Sequence, residues 1–157
     1  MPVSIHNKPS RRAVVVCGNR TPFVRAFAEY LTLDTIGLAT EAVGGLMTRS
    51  GLDPKEVDAV LWGGVLLPSM APNVGRELAL DLGLPHSAEA YTVTRACASG
   101  LQAITDAVAK IERGEADVII AGGSDSTSNA TLAMPESFVR AVAPYAMGKS
   151  KGAKGLF

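Results

Sequence analysis

The 157-residue chain carries two thiols, and one of them, Cys97, stands where a strand hands over to a helix. The stretch is Val93-Thr94-Arg95-Ala96-Cys97-Ala98-Ser99-Gly100. Apolar residues precede the cysteine, and a helical pattern follows it at once. Leu101, Ile104, Val108 and Ile111 recur at helical spacing along one face, and the pattern stops at Gly114, a residue type that tolerates a left-handed helix end. At a helix N-terminus the unpaired backbone N–H groups and the positive end of the macrodipole favour a thiolate over a thiol. The same N–H groups can hold the oxyanion that forms when a sulfur attacks a carbonyl carbon. The expected chemistry is therefore nucleophilic attack on a carbonyl. The competing reading is a small buried hydrophobe, the usual fate of a lone cysteine. Four small neighbours, Ala96, Ala98, Ser99 and Gly100, weigh against it, because they leave room for a bulky substrate to reach the sulfur.

The second thiol, Cys17, ends the run Ala13-Val14-Val15-Val16, which is β-branched and apolar and is expected to be a buried strand with Cys17 as a core residue. Two cysteines in such unlike settings make no disulfide framework and suit a reducing compartment. His6 and His86 share no ligand-type spacing with each other or with either cysteine, so no metal site is expected. His86, in Leu84-Pro85-His86-Ser87, falls in the turn before the strand that leads to Cys97, and so at the far end of that strand from the sulfur.

Positive and negative side chains balance at 15 each, and aromatic residues make up 5% of the chain. Neither figure suits nucleic-acid binding, which uses a basic surface and stacking platforms. The 47% hydrophobic content suits one globular domain or a piece of a larger one, and no apolar run is long enough to cross a bilayer. Met1 to Arg12 holds Lys8, Arg11 and Arg12 with no apolar segment and reads as a flexible basic arm, not a secretory signal.

The elements that must position Cys97 alternate along the chain. Thr32 is placed to cap a helix with Ile36, Ala39, Val43, Leu46 and Met47 on its inner face, ending before Gly51. Asp53-Pro54-Lys55-Glu56 reads as a capped helical turn. A strand is expected from Ala59 to about Val65, with Gly63-Gly64 allowing close backbone approach or an early break. Asn73 caps a helix through Leu78, Leu80 and Leu82 to Gly83, Ala90–Thr94 is the strand before Cys97, and Asp117–Ala121 is a strand ending in Gly122-Gly123. This alternation predicts an α/β layered fold, with helices covering a largely parallel sheet through right-handed connections. Past Gly123 the small polar run Ser124–Thr131 reads as a loop region, and Lys149, Lys151 and Lys154 as a solvated loop or an anion contact.

Four segments taken together resemble the N-terminal half of a thiolase: Arg20-Thr21-Pro22-Phe23, Pro72-Asn73-Val74-Gly75-Arg76, the Thr92–Gly100 stretch around Cys97, and Ala121-Gly122-Gly123-Ser124-Asp125-Ser126-Thr127-Ser128. The resemblance is collinear from about Ala13 to Ser128. It implies a thiolase-like N-terminal α/β/α domain with an incomplete sheet, divided as a basic arm (1–12), the α/β domain (13–123) and the start of a loop domain (124–157). It also implies an acyltransferase of fatty-acid β-oxidation in which Cys97 takes the acyl group of a 3-ketoacyl-CoA and hands it to CoA. Coenzyme A is then a substrate, and no cofactor or metal is expected. The implied setting is cytoplasmic, or mitochondrial in a eukaryote. A homodimer is the implied assembly, with Ala90–Thr94 in or near the subunit contact. Ser137-Phe138-Val139-Arg140 and the Lys149–Phe157 stretch resemble the branch containing trifunctional-complex β subunits, which suggests a hydratase/dehydrogenase α subunit as partner.

Thiolases also use a histidine in a Gly-His-Pro context and a second cysteine in a Cys-Gly-Gly context, and neither string occurs in these 157 residues. The expectation is an N-terminal portion that is inactive alone. The alternatives are a β-ketoacyl synthase-like condensing enzyme fragment, which would share the cysteine and the Gly114–Val118 pattern, or a non-catalytic acyl-CoA-binding module.

Overall fold

The computed structural model describes residues 11–147. In chain order the elements are α1 (Thr35–Ser50), a 3-10 turn (Pro54–Glu56), β1 (Ala59–Gly63), α2 (Val74–Asp81), β2 (Glu89–Val93), α3 (Ser99–Arg113), β3 (Ile119–Gly123), a second 3-10 turn (Thr127–Asn129) and α4 (Glu136–Ala146). The three strands form one parallel sheet in the order β2-β1-β3, with Leu61 of β1 opposite Tyr91 and Ala121.

Parallel strands need crossovers, and each crossover here is a helix that covers a face of the sheet. Every residue of β1 is buried, because both faces are covered. Val60 and Trp62 point into a core built with Ala39 and Val43 of α1 and with Val74, Leu78 and Ala79 of α2. Ala59 and Leu61 point the other way, against Ala103 and Ala107 of α3. The result is the α/β/α layering that the alternating pattern predicts.

Local signals set most boundaries. Asn73 accepts a hydrogen bond from the Arg76 N–H to start α2, and Asp53 does the same for Lys55 at the first 3-10 turn. Gly51, Gly83 and Gly114 take the positive φ that ends helical segments at low cost. Asp58 gathers the starts of the strands. Its carboxylate accepts from the N–H groups of Asp117 (2.7 Å) and Val118 (3.0 Å), its own N–H donates to the Val118 carbonyl, and its carbonyl accepts from Glu89. The Val118 and Asp117 N–H groups hold its carboxyl below the ordinary range near 4.

Several expectations need correction. Residues 13–17 form no strand, and Val16 is 87% exposed and Cys17 exposed with it. A β-branched run supplies extended backbone, but a strand also needs a partner ladder. Here the following residues are tied to a helix: Asn19 donates to the Ala42 carbonyl of α1 (2.9 Å) and accepts from Arg49 (3.2 Å). Arg11, expected in a flexible arm, is ion-paired with Asp117.

The cap of α1 is Asp34, not Thr32, with the Asp34 carboxylate accepting from the Gly37 N–H. The apolar stripe of α3 faces outward. Ser99, Ala103 and Ala107 are its buried face, while Leu101 is 68% exposed and Ile104 and Val108 are also open. The helix approaches the sheet too closely for large side chains: a Cβ added at Gly63 would lie 2.3 Å from the Ser99 carbonyl carbon. Finally, the segment expected to begin a loop domain (124–157) holds a helix that the sequence reading did not place, α4 at Glu136–Ala146, with Pro144 inside it. The Lys149, Lys151 and Lys154 readings, like those on residues 1–10, lie outside the described residues.

Candidate functional site

The chain leaves the end of β2, turns through Thr94-Arg95-Ala96-Cys97-Ala98, and enters α3 at Ser99. Several bonds hold the turn. The Thr94 hydroxyl donates to the Gly64 carbonyl (2.9 Å), fastening the turn to the end of β1. The Ala98 N–H donates to the Arg95 carbonyl and the Ser99 N–H to the Ala96 carbonyl, both at 3.1 Å. Ala96 has φ +46°, a left-handed conformation that non-glycine residues rarely adopt. The reversal it makes leaves Cys97 exposed, directly before the helix cap Ala98, whose side chain caps nothing.

Cys97 opens onto a cavity of about 240 Å³ lined by Gly63, Ala96, Gly100, Gly123 and Asp125 among others. Glycine on three sides lets β1, β3 and the first turn of α3 converge. A Cβ at Gly123 would lie 2.7 Å from the Gly63 carbonyl oxygen and 3.2 Å from the Gly100 Cα. Asp125 closes one side by accepting from the Val65 (2.8 Å) and Leu66 (2.6 Å) N–H groups, which fixes the loop that follows β1. The cavity thus has backbone walls and one thiol at the head of a helix. Such an arrangement can hold a small acyl group on sulfur and stabilise negative charge beside it.

The structure does not bring the two thiols into one site. Cys17 lines a separate cleft of about 370 Å³ with Arg20, Phe23, Trp62 and Gly122, at no helix N-terminus. The two spaces share only the rim Gly123-Ser124-Asp125. His86 lies in the turn before β2 and Cys97 beyond its other end, so the strand separates them as expected. Among the described residues, no three His, Cys, Asp or Glu side chains converge as a metal site would require.

Composition and spacing missed two contributors. Ser99 reads as an ordinary helix-start serine, yet its hydroxyl is turned back into the loop. Asp125 reads as one polar residue in a loop, and only the Gly122-Gly123 pair before it hints at a place where backbones crowd.

The family model for the thiolase N-terminal domain matches residues 13–155. A 3-ketoacyl-CoA thiolase of Photorhabdus laumondii is 37% identical over 140 residues, covering 89% of this chain and 32% of that protein. One of Aeromonas salmonicida is 34% identical over 141 residues, covering 90% and 32%. The crystal structure of the Bacillus anthracis acetyl-CoA acetyltransferase superposes with a TM-score of 0.76 at 28% identity, covering 82% of this chain and 33% of that one. A thiolase from Ascaris suum, 24% identical with a TM-score of 0.72, shares the fold over 76% of this chain. The chain spans about a third of the length of the curated relatives it matches.

Proposed function

Because the chain belongs to the thiolase family through its N-terminal domain, we propose that it supplies the acyl-accepting cysteine of a 3-ketoacyl-CoA thiolase and that this cysteine is Cys97. The observation that carries the reading is the exposed Cys97 sulfur at the head of α3, inside a cavity walled by Gly63, Gly100 and Gly123. Membership of this family also favours acyl transfer over the condensing-synthase alternative.

The thiolate attacks the keto carbonyl carbon of the 3-ketoacyl-CoA and forms a carbon–sulfur bond. The bond between that carbon and its neighbour toward the thioester then breaks. The electron pair stays on the departing two-carbon unit, which takes up a proton and leaves as acetyl-CoA. Free CoA attacks the acyl-cysteine, its thiol proton is given up, and Cys97 returns as thiolate. The N–H groups at the start of α3 oppose the negative charge that develops beside the sulfur. Coenzyme A enters as substrate, and the cycle uses no other cofactor.

The degradative direction, a homodimer and a hydratase/dehydrogenase α subunit as partner belong to the same proposal. For the dimer the support is the place of β2 at an edge of the sheet, as an intersubunit strand pair would need. For a reducing, cytoplasmic setting the support is the pair of exposed free thiols. No helix of the described residues is long and apolar enough to cross a membrane.

The test is acetyl transfer. The chain is incubated with acetyl-CoA, and the acetylated cysteine is located by peptide mapping, with Cys97→Ala as the blank. Acetyl on Cys97 is the expected result, while its catalysed return to free CoA needs the histidine and second cysteine whose strings do not occur in these 157 residues. Acetyl on Cys17 alone, or on neither thiol, overturns the assignment.

A further inference from the structure

Ser99 is 4% exposed, one of only three buried polar residues among those described, and its hydroxyl does not cap its own helix. It accepts from the Arg95 N–H (2.8 Å) and donates to the Ala96 carbonyl (2.7 Å), so one side chain clamps both residues that precede Cys97. Between those two bonds sits Ala96 at φ +46°. A non-glycine residue held left-handed is strained and persists only where surrounding contacts over-determine it. The Ser99 hydroxyl is the side-chain contact that bonds to the backbone on both sides of this conformation. We infer that Ser99 is a positioning residue for the nucleophile: its hydroxyl, bridging the Arg95 N–H and the Ala96 carbonyl, holds the left-handed turn that presents Cys97 at the head of α3.

The inference rests on the proposed role of Cys97 and assigns Ser99 the task of shaping the turn that carries the sulfur. A serine hydroxyl is required because one atom must accept from one backbone group and donate to another, which an alanine side chain cannot do. Without it, the Arg95 N–H loses its partner while the Ala96 carbonyl keeps the Ser99 N–H, and the extended conformation of residue 96 competes with the left-handed one. Loss of the one unreplaced bond shifts that balance by roughly a factor of ten.

Cys17 provides an internal standard, being exposed and remote from the turn. The experiment measures alkylation of Cys97 and Cys17 in the same sample under limiting iodoacetamide, for the wild-type chain, Ser99→Ala, Ser99→Thr and the double variant Ala96→Gly/Ser99→Ala. Far-UV circular dichroism confirms the fold of each. In folded Ser99→Ala the Cys97-to-Cys17 ratio should fall about tenfold. Ser99→Thr, which keeps the hydroxyl, should stay within about threefold of wild type. The double variant should recover at least part of the loss, since glycine adopts positive φ without penalty.

A wild-type ratio in folded Ser99→Ala overturns the inference. Should Ser99→Ala not fold, the double variant decides: a ratio above that of the urea-unfolded chain supports the clamp, and a ratio equal to it overturns it. Acetyl transfer to wild-type Cys97 reports separately on the proposed function, so failure of one claim is distinguishable from failure of the other.

Discussion

Gly63→Ala tests whether the glycine-walled convergence positions the nucleophile. Residue 63 ends β1 directly beneath the first turn of α3, and an added methyl carbon would sit 2.3 Å from the Ser99 carbonyl carbon, 2.5 Å from the Gly100 nitrogen and 2.5 Å from the Ser99 oxygen. All three are backbone atoms, so no side-chain rotation relieves the contact. Bringing 2.3 Å to an ordinary contact near 3.4 Å requires the helix start to retreat by roughly 1.1 Å. Overpacking of this kind costs about 1–3 kcal/mol, a drop of roughly 3–12 °C in melting temperature for a chain of this size. The chemical effect should be larger, because a misplacement near 1 Å costs on the order of a hundredfold in rate. The assay pairs thermal unfolding by circular dichroism with the initial rate of Cys97 acetylation from acetyl-CoA. Wild-type acetylation together with a wild-type melting temperature would refute the claim that this contact sets the position of Cys97.

The outward stripe of α3 gives a paired test: Leu101→Ala should change the stability of the chain by less than about 0.5 kcal/mol, whereas Ala103→Leu, on the buried face, should cost about 1–3 kcal/mol, both read by urea unfolding. The reverse ranking would show that α3 is rotated from the described orientation. Asp58→Asn should remove a pH-dependent part of stability. The wild-type carboxyl is held below its unfolded value by the Val118 and Asp117 N–H groups, so its contribution is complete above the unfolded value near 4 and is lost as pH falls through the lower folded value. Asp58 is largely exposed, so the difference from wild type at neutral pH should be below about 1 kcal/mol. It should shrink on acidification below about pH 4, and a difference that grows there would contradict the assignment.

The elements around the site were legible because local chemistry marks them. Asn73, Asp53, Gly83 and Gly114 cap or stop helical segments through bonds to residues a few positions away, and such signals survive in any tertiary setting. Cys97 at a strand-to-helix junction followed from the same local signals. The orientation of α3 was not legible: Leu101, Ile104 and Val108 mark a stripe at helical spacing, but periodicity does not say which side the sheet takes. That choice comes from the close approach at Gly63, a contact between residues far apart in the chain. Val14-Val15-Val16 has strand propensity, but whether a partner ladder forms depends on the sheet, and the nearby Asn19 is instead fastened to α1. α4 was hidden by Pro144 and by the small polar residues before it. The bonds of Ser99 were out of reach because a serine at a helix start ordinarily caps the helix, and only coordinates show the hydroxyl turned back onto Arg95 and Ala96.

The most direct test of Cys97 as the acyl acceptor is the site of acyl attachment after reaction with acetyl-CoA, read by mass spectrometry on tryptic peptides of the wild-type chain and of Cys97→Ala. The predicted result is acetyl on the peptide holding Cys97 and none at that position in the variant. Acetyl on the Cys17 peptide in both proteins, or an equal yield from wild type and Cys97→Ala, would contradict it.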